Sequence, residues 1–495
     1  MPKSKANDKV AAFVGISAPE TPKYLLANNF LLEYFEQTGG QVELYSYAWF
    51  EEKKSLVTQD VENQKELEKS FNRFLRRYLG DETIHQENNR LKEDHHFYFP
   101  LTQEMLMERS PTLRHMLFHL QALDDKFSYE DMQQKLENYI FHGHSGANNI
   151  WKVLFQEKEE IRLRKRDVKG ERDDFWDMLK PAEKKRMRAL GESLNQDLNA
   201  LLTSRFFTEL DFYRKYQYLS VLLTSYVLQY ILVRKGPSAS MLCKGKPLDD
   251  RLNGDIHRAC SYNYARLREV FPEMMKVSYG EVLEAYVGKK ESFWLSAHNE
   301  DLWLEEKSFE GFMADLSGRE KNRKKMDYEV LLKGFGIGDG EEKEMTMKEF
   351  VMRYLDLIGK KQGSNLQKMS SILSSSGKQI DMVYPKTNVN FKYFAMAEGL
   401  AEFYVRLYLA RKKSRYDYLD NFMEDLADRY HIIISKTSKN EKYLKTYKPL
   451  LSAQELWKNK QAFLDTLNSA NCLIKLSDSG FIVTLPEEKG GFKLI

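Results

Sequence analysis

Residues 452–485, SAQELWKNKQAFLDTLNSANCLIKLSDSGFIVTL, contain the pattern that decides the fold of the C-terminal part of this chain. Ser452, followed three residues later by Glu455, forms a capping box, which satisfies unpaired amide donors at a helix start. The apolar positions that follow recur at helical spacing: Leu456, Phe463 and Leu467. The runs CLIKL and FIVTL come next, and the turn-type cluster SDSG between them predicts a two-stranded hairpin. A helix followed at once by a hairpin is the local order of a winged-helix module.

Upstream elements complete that order. Two amphipathic helical patterns, over residues 390–412 and 415–431, precede Ile432–Ile434, which reads as a buried strand. In a winged helix the last helix enters the major groove of DNA and the hairpin tip meets the backbone. The sequence therefore predicts a winged-helix-like domain over residues 380–495.

The charges of this domain leave its ligand open between double-stranded DNA and a protein. Acidic residues, among them Glu455, Asp465 and Asp478, reduce its positive character. The residues that we predict to contact DNA or a partner lie in the loop before the helix, on the helix and in the turn: Lys439, Lys442, Lys445, Lys458, Asn459, Lys460, Gln461, Ser477 and Ser479.

Two basic runs in the first half of the chain are further candidates for phosphate contact. The first is IRLRKRDVKGERDDFW, from Ile161, which begins within a pattern that predicts a helix over residues 148–169. The second is EKKRMR, from Glu183, within a pattern that predicts a helix over residues 181–203. Interleaved acids make a solvated helix face the alternative interpretation. The candidate contact residues are Arg162, Arg164, Lys165, Arg166, Lys184, Lys185 and Arg186.

Length and composition favour a mainly α, multidomain protein. A chain of 495 residues exceeds a typical single core, and its 42% hydrophobic content excludes disorder of the whole chain. A stretch rich in Gly, Pro and Asp over residues 235–254 predicts a first linker. The predicted parts are a mixed α/β lead-in over 1–60, a helical domain over 61–235, a second helical domain over 255–360, a Ser-rich linker over 361–379 and the winged-helix-like domain over 380–495.

Charge and cysteine usage favour a cytoplasmic protein without a strongly basic surface. The formal net charge is +3, so any nucleic-acid contact must come from local patches. Three distant cysteines without a C-x-x-C pair argue against a disulfide scaffold, and the N-terminus lacks the apolar core of a secretory signal. The uncharged run 216–233 has the minimum length of a membrane span, but polar residues interrupt it. It predicts a buried core helix and no membrane association.

Candidate metal ligands are weak. His115 and His119 share a helix face, and His142 and His144 follow a further helix, a grouping that zinc could use. No glutamate follows His115 as in H-E-x-x-H, and ordinary interface histidines are the alternative. The sequence predicts no metal, no cofactor and no catalytic residue.

Two further motifs, one rich in glycine and one acidic, match known catalytic or phosphate-binding motifs only in part. The run GFGIGDG, residues 334–340, lacks the Gly-Lys-Ser/Thr ending of a phosphate loop and predicts a flexible surface turn. Glu341-Glu342-Lys343 supplies the E-x-K of a metal-dependent nuclease, but in an apparent loop. A nuclease subunit stays open as an alternative.

Four motifs in roughly the last 110 residues carry a resemblance to a known group of proteins. They are YPKTN, FMEDLADRYHIII, KNKQAFLDTL and KLSDSGFIVTLP, which begin at Tyr384, Phe422, Lys458 and Lys475. Together they resemble accessory proteins of bacterial antiphage defence islands. The pattern is similar to components of the methylation-associated defence system, and less so to the G subunit of phosphorothioation-dependent restriction. This chain departs from the pattern at His431, which stands where glycine is expected, and at Ala470-Asn471, which replaces Leu-Gly.

This resemblance implies a non-catalytic scaffold or recognition subunit of a restriction-type complex. The implied partners are an ATPase, a nuclease or a methyltransferase, and the resemblance carries over no catalytic residue. It does not cover the first 380 residues. Besides the nuclease, a DNA-binding transcriptional regulator is the remaining alternative, which the large helical body and near-neutral charge disfavour.

Overall fold

The fold is seen in a computed structural model that describes most of the second half of the chain and parts of the first half. It describes residues 26–31, 33–37, 113–141, 161–163, 181–210, 212–274, 293–296, 342–345, 365–387, 391–438, 440–445, 451–476 and 480–486, together with residues 333, 336, 349 and 353. The interpretable part is 67% helix and 9% strand, with the strands in small sheets. The prediction of a mainly helical protein is therefore confirmed for the described part of the chain.

The helices of the described part are α1 (Leu26–Leu31), α2 (Leu113–Ala122), α3 (Tyr129–Phe141), α4 (Pro181–Thr203), α5 (Arg205–Thr208), α6 (Phe212–Lys235), α7 (Asp255–Arg268), α8 (Asn365–Gln379), α9 (Glu398–Lys412), α10 (Leu419–Arg429), α11 (Glu441–Leu444) and α12 (Ala453–Ser469). The strands are β1 (Phe35–Gln37), β2 (Ile161–Leu163), β3 (Met241–Lys244), β4 (Phe293–Ser296), β5 (Glu342–Met345), β6 (Val383–Tyr384), β7 (Tyr393–Ala395), β8 (Tyr416–Tyr418), β9 (Ile432–Ile433), β10 (Leu473–Lys475) and β11 (Phe481–Thr484).

The chain divides into two compact units. The first contains residues 1–20, 109–116 and 266–374, and the second contains residues 21–108, 117–265 and 375–495. In the first unit, β4 pairs antiparallel with β5, with Phe293 opposite Met345. The second unit contains the central sheet and all of the C-terminal elements.

A four-stranded sheet with the order β6-β7-β3-β9 lies at the centre of the second unit. Strand β3 runs parallel to both neighbours, with Cys243 opposite Phe394 and Leu242 opposite Ile433. All four residues of β3 are buried, as expected for a parallel strand covered on both faces. The prediction of a linker over residues 235–254 is therefore wrong, because its middle is a core strand.

Helix α6 is the longest helix of the described part and forms much of the core beside this sheet. It is long and apolar enough to cross a membrane by composition, but 83% of its apolar window is buried inside the structure. The Ser225 hydroxyl donates to the Val221 carbonyl, and the Tyr404 hydroxyl donates to Ser225, so these polar groups have partners inside the unit. The prediction of a buried core helix over residues 216–233 is confirmed.

One buried carboxylate joins four helices. Asp197 on α4 accepts hydrogen bonds from the hydroxyls of Tyr226 on α6 (2.7 Å) and Tyr430 after α10 (2.6 Å). Its other oxygen lies 3.1 Å from Arg411 Nε on α9 and 2.9 Å from an Arg429 nitrogen on α10. Burial, followed by the negative charge of Asp197, raises the pKa of both tyrosines well above the ordinary value. Both hydroxyls therefore stay protonated donors.

The last part of the unit follows the order α9, β8, α10, β9, α11, α12, β10, β11. Strand β11 pairs antiparallel with β10 on one side and β8 on the other, which gives a three-stranded sheet of order β10-β11-β8. The predicted helices over 390–412 and 415–431 start later than expected, because Tyr393–Ala395 and Tyr416–Tyr418 form strands. The predicted Ser-rich linker over 361–379 is wrong for 365–379, which form helix α8.

The first half of the chain contains further differences. Helices α2, α3 and α4 lie where the sequence predicts them. Residues 161–163, predicted as helix, form strand β2, which pairs antiparallel with β1. Most of the mixed α/β lead-in predicted over residues 1–60, and residues 61–112 of the predicted helical domain, lie outside the described residues.

Candidate binding surface of the C-terminal elements

Helix α12, the central element of the predicted winged helix, begins where the capping box places it. The Ser452 hydroxyl accepts a hydrogen bond from the Glu455 amide at 3.2 Å. One face of the helix is buried, including Leu456, Phe463 and Leu467. The sequence-predicted hairpin follows as β10 and β11, with Ile474 opposite Ile482.

Asn459, predicted to contact a ligand, instead attaches α12 to the central sheet. Its side chain is fully buried, and its amide nitrogen donates to the carbonyls of Cys243 (2.8 Å) and Ile434 (2.6 Å). Its amide oxygen accepts from the Gly245 amide at 2.8 Å. We therefore remove Asn459 from the candidate contact residues, because every polar group of its side chain is used inside the protein.

The charged side chains of α12 form ion pairs within the protein. Lys458 lies 3.0 Å from Glu455, and Lys460 lies 3.0 Å from Asp420. Asp465 lies 2.7 Å from Arg251, whose guanidinium also contacts Asp249. Because opposite charges neutralise Lys458 and Lys460, the helix offers less attraction to phosphate than its sequence suggests.

Trp457 is the most distinctive exposed side chain of α12. It is 60% exposed and lies at the edge of a pocket of about 240 Å³ between α11 and α12. The walls of the pocket are mainly apolar and come from Leu444, Leu451, Ala453 and Leu456, with Lys436, Glu441 and Lys460 at charged positions. A large exposed aromatic beside an apolar pocket is a common centre of protein–protein contact.

Internal hydrogen bonds hold one wall of this pocket. The Ser435 hydroxyl donates to the Leu456 carbonyl at 3.1 Å. The buried Asn440 side chain donates to the Ser435 carbonyl and accepts from the Thr437 amide at 2.9 Å. The pocket is therefore formed before any partner binds, which lowers the conformational entropy cost of binding.

The other residues predicted to contact a ligand in this region are only partly described. Lys445 is exposed at the end of α11, and Gln461 is half-buried on α12. Lys439, Ser477, Ser479 and the side chain of Lys442 lie outside the described residues. The structure therefore does not group these residues into one surface.

The basic runs of the first half are also separated. Lys184, Lys185 and Arg186 lie in the first two turns of α4, where only Lys185 is fully exposed. The backbone of Arg162 belongs to β2, and its side chain, like residues Arg164, Lys165 and Arg166, lies outside the described part.

The structure does not bring the candidate metal-binding and nuclease residues together into a site among the described residues. His115 and His119 are half-buried on α2, while His142 and His144 lie outside the described residues. Among the described residues, no group of three His, Cys, Asp or Glu side chains could hold a metal ion. Glu342 and Lys343, predicted in a loop, lie in strand β5, and Glu341 lies outside the described residues.

A second surface, which the sequence reasoning missed, is a cleft of about 860 Å³ between α4, α5 and α9. We call it the basic cleft, because the charged residues that line it are all cations: Arg205, Arg411, Lys412, Lys413, Arg415 and Arg429. Its polar uncharged residues are Gln196, Asn199, Thr203, Ser204 and Ser414. The local signal was the run RKKSR, residues 411–415, which has four cations in five positions and no acid.

Two cations of the basic cleft are held by ion pairs, and the other four have exposed side chains. Arg411 and Arg429 are bound by Asp197, and Arg411 also pairs with Asp425. Burial opposes the charged form of both guanidinium groups. Interactions with Tyr430 and Asp197 outweigh it and raise the pKa of each above the ordinary value, with Asp425 adding to the effect on Arg411. The side chains that remain exposed are Arg205, Lys412, Lys413 and Arg415.

No protein-family model, no curated protein and no solved structure matches this chain.

Proposed function

We propose that this chain is a non-catalytic recognition subunit of a cytoplasmic bacterial antiphage defence complex, and that α12 binds a partner protein. The observation that carries the proposal is the exposed Trp457 beside a preformed apolar pocket, on a helix whose lysines are already ion-paired. The resemblance of the motifs from Tyr384 onward suggests the defence setting.

The proposal assigns α9 to β11 to a winged-helix-like module. What supports this is the order of helix α9, strand β8, helix α10, strand β9, helices α11 and α12 and the hairpin β10-β11. Strands β10, β11 and β8 form a three-stranded antiparallel sheet, while β9 belongs to the central sheet. In such modules the helix before the hairpin is the recognition helix. In this chain that helix is α12.

In this proposal the partner protein inserts one apolar side chain into the pocket next to Trp457. The walls suit such a side chain, because they are contributed mainly by leucines and by Trp457 itself. Tryptophan is among the residues whose truncation most often weakens an interface by about 2 kcal/mol or more. The implied partners are the ATPase, nuclease or methyltransferase subunits of the complex.

The test is binding to the purified products of the neighbouring genes, measured by calorimetry with the full chain. Trp457→Ser is expected to weaken binding on the order of 30-fold, which corresponds to about 2 kcal/mol. Phe391→Ser is the matched control, because Phe391 is 76% exposed and does not line the pocket.

Two results would contradict the proposal. One is an equal affinity of the wild-type and Trp457→Ser chains for every neighbouring product. The other is cleavage of plasmid DNA by the purified chain with Mg²⁺ or Mn²⁺, which would favour the nuclease alternative.

A further inference from the structure

We infer that the basic cleft binds the phosphate backbone of a single-stranded nucleic acid, and that Tyr416 and Tyr418 stack on its bases. This inference does not rest on the partner-binding role of α12, because the residues involved are different.

The first support is the charge of the basic cleft. Residues from three separate segments, around 196–206, 410–415 and 429, bring six cations together, and no carboxylate lines the cleft in the described part of the chain. Arg411 and Arg429 are ion-paired with Asp197, so the charge offered to a ligand comes mainly from the four exposed cations. Its volume of about 860 Å³ is larger than a single phosphate requires. Several cations along one groove are the expected electrostatic footprint of a polyanion.

The ends of helices explain only part of this charge. Cations in the last turn of a helix interact favourably with its unpaired carbonyls, which accounts for Arg411 and Lys412 on α9. Arg415 lies beyond that turn and Arg205 begins a different helix, so the helix dipole of α9 does not account for them. Their exposed positions on the lining of the cleft fit a ligand-binding role.

The backbone at Lys413 provides a further indication. Lys413 ends α9 in the left-handed region, with φ of 52°, a conformation that usually selects glycine. Its amide donates to the Ala410 carbonyl, and the Ser414 amide donates to the Leu409 carbonyl, the pattern of a Schellman motif. A lysine at this position keeps a cation in the basic cleft at a cost in backbone strain.

The second, independent support is a pair of exposed tyrosines that follows the lining residue Arg415 along the chain. Tyr416 directly follows Arg415, and its amide and carbonyl are both hydrogen-bonded to the Ser414 hydroxyl. Tyr416 and Tyr418 are 51% and 62% exposed on edge strand β8, and alternation along a strand puts both on one face.

Asp417, the acid between them, is already engaged. It is half-buried and accepts hydrogen bonds from the Tyr408 hydroxyl (2.5 Å) and the Asn421 side chain (2.9 Å). These hydrogen bonds lower the pKa of its carboxyl, although burial opposes them. Strand β8 therefore exposes two aromatic rings to solvent, while the carboxylate of Asp417 is hydrogen-bonded within the protein.

A cationic groove next to exposed aromatic rings favours a single strand over a duplex. Bases are free to stack on aromatic side chains only when they are not paired, and such stacking tolerates any sequence. Single-stranded DNA and single-stranded RNA share this chemistry, so the experiment must separate them.

The test is fluorescence anisotropy of labelled 20-nucleotide single strands, one DNA and one RNA of the same mixed sequence, with the full-length chain over a salt series. We expect binding at low salt that weakens as salt rises. The tighter of the two strands identifies the physiological class. No binding of either strand at low salt would overturn the inference.

The charge contribution is tested with Lys412→Gln combined with Arg415→Gln. The slope of log affinity against log salt should become shallower by about 0.7 for each phosphate that the variant no longer neutralises. The control removes two cations elsewhere, Arg258→Gln with Lys386→Gln, whose side chains are 79% and 56% exposed and do not line the cleft. An equal effect of both pairs would overturn the assignment to the basic cleft.

Lys413→Gly separates binding from folding. Glycine relieves the positive φ, so the variant should unfold at the same temperature as the wild type or above it. Its affinity for the strand should nevertheless fall. An unchanged affinity would remove Lys413 from the site and contradict the inference.

The stacking contribution is tested with Tyr416→Ala and Tyr418→Ala. Each should weaken single-strand binding on the order of tenfold, with Tyr262→Ala, 49% exposed on α7, as the control. A duplex that binds as tightly as the single strands would overturn the single-strand assignment. Displacement of the strand by an equal concentration of poly-glutamate would show a general polyanion site instead of a nucleic-acid site.

Discussion

Lys244 is a buried lysine in the core of the second unit. It ends strand β3 and is fully buried, and its ammonium has no hydrogen-bond partner among the described residues. Its nitrogen lies 4.7 Å from the centre of the Tyr393 ring, a cation–π contact that offsets part of the burial cost. Burial lowers the pKa of Lys244 below its ordinary value of 10.5, against smaller opposing effects of Cys260, Asp249 and Asp250.

The first prediction concerns the pH dependence that follows from this lysine. Because its folded-state pKa is lowered, the unfolded chain binds more protons between that pKa and 10.5, so stability rises with pH across this window. Lys244→Met should raise stability at neutral pH by roughly 1–3 kcal/mol and remove this alkaline rise. Thermal unfolding measured between pH 7 and 11 checks both effects.

Lys246→Met is the control for that experiment, because Lys246 is only half-buried two residues further along the chain. It should leave the pH profile unchanged. A Lys244→Met chain that unfolds at a lower temperature than the wild type at pH 7 would mean that the contact with Tyr393 outweighs the cost of burial.

At the scale of elements, the packing of α12 on β3 depends on a glycine. A side chain at Gly245 would place its Cβ 2.3 Å from the Asn459 carbonyl oxygen and 2.6 Å from the Phe463 nitrogen, both backbone atoms of α12. The Gly245 carbonyl also accepts a hydrogen bond from the Thr466 hydroxyl at 2.8 Å. Helix and strand therefore touch backbone to backbone.

The second prediction is that Gly245→Ala destabilises the protein by about 1–3 kcal/mol, because the backbone of α12 must move away. Gly399→Ala is the matched control, since a Cβ at Gly399 in the first turn of α9 would meet nothing within 4 Å. That control should be neutral or stabilising by about 0.5–1 kcal/mol. Circular dichroism during thermal unfolding checks both variants, and equal midpoints for the two would contradict the packing argument.

At the scale of the whole molecule, the C-terminal elements depend on distant segments. Strands β7 and β9 both pair with β3, and the Gln229 side chain on α6 donates to the Tyr430 carbonyl. The buried carboxylate of Asp197 comes from α4. The domain predicted over residues 380–495 is therefore incomplete by itself, because strand β3 and helices α4 and α6, on which it packs, come from earlier in the chain.

The third prediction is that an isolated fragment 380–495 does not fold, whereas a fragment 181–495, which retains α4, α6 and β3, does. The first fragment should give a collapsed proton–nitrogen correlation spectrum and the second a dispersed one. A dispersed spectrum from residues 380–495 alone would show that β3 is dispensable for the folding of α9 to β11.

Local signals in the sequence predicted the helices well and the sheet poorly. Ser452 and Pro181 mark the starts of α12 and α4, because capping and first-turn preferences act within a few residues. Strand β3, with four residues between turn-forming segments, carries no periodicity that separates it from a linker. Its identity depends on neighbours about 150 and 190 residues later in the chain.

For the candidate surfaces, too, local sequence signals located elements but did not predict contacts between distant segments. The capping box located α12, but side chains from other segments decided that Asn459 is internal and that Lys460 is paired with Asp420. Trp457 lies among the polar positions of the helical pattern, so the sequence alone indicated an exposed aromatic side chain there. The run 411–415 was equally readable, whereas Arg205 and Arg429 join it only through the fold.

The parallel pairing of β3 also has a consequence for synthesis on the ribosome. Phe394, the partner of Cys243, is translated about 150 residues later. At about 5–20 residues per second, the apolar strand waits roughly 8 to 30 seconds for β7, and longer for β9. During that interval both of its hydrogen-bonding edges are open, so nascent chains of this protein should be clients of ribosome-associated chaperones.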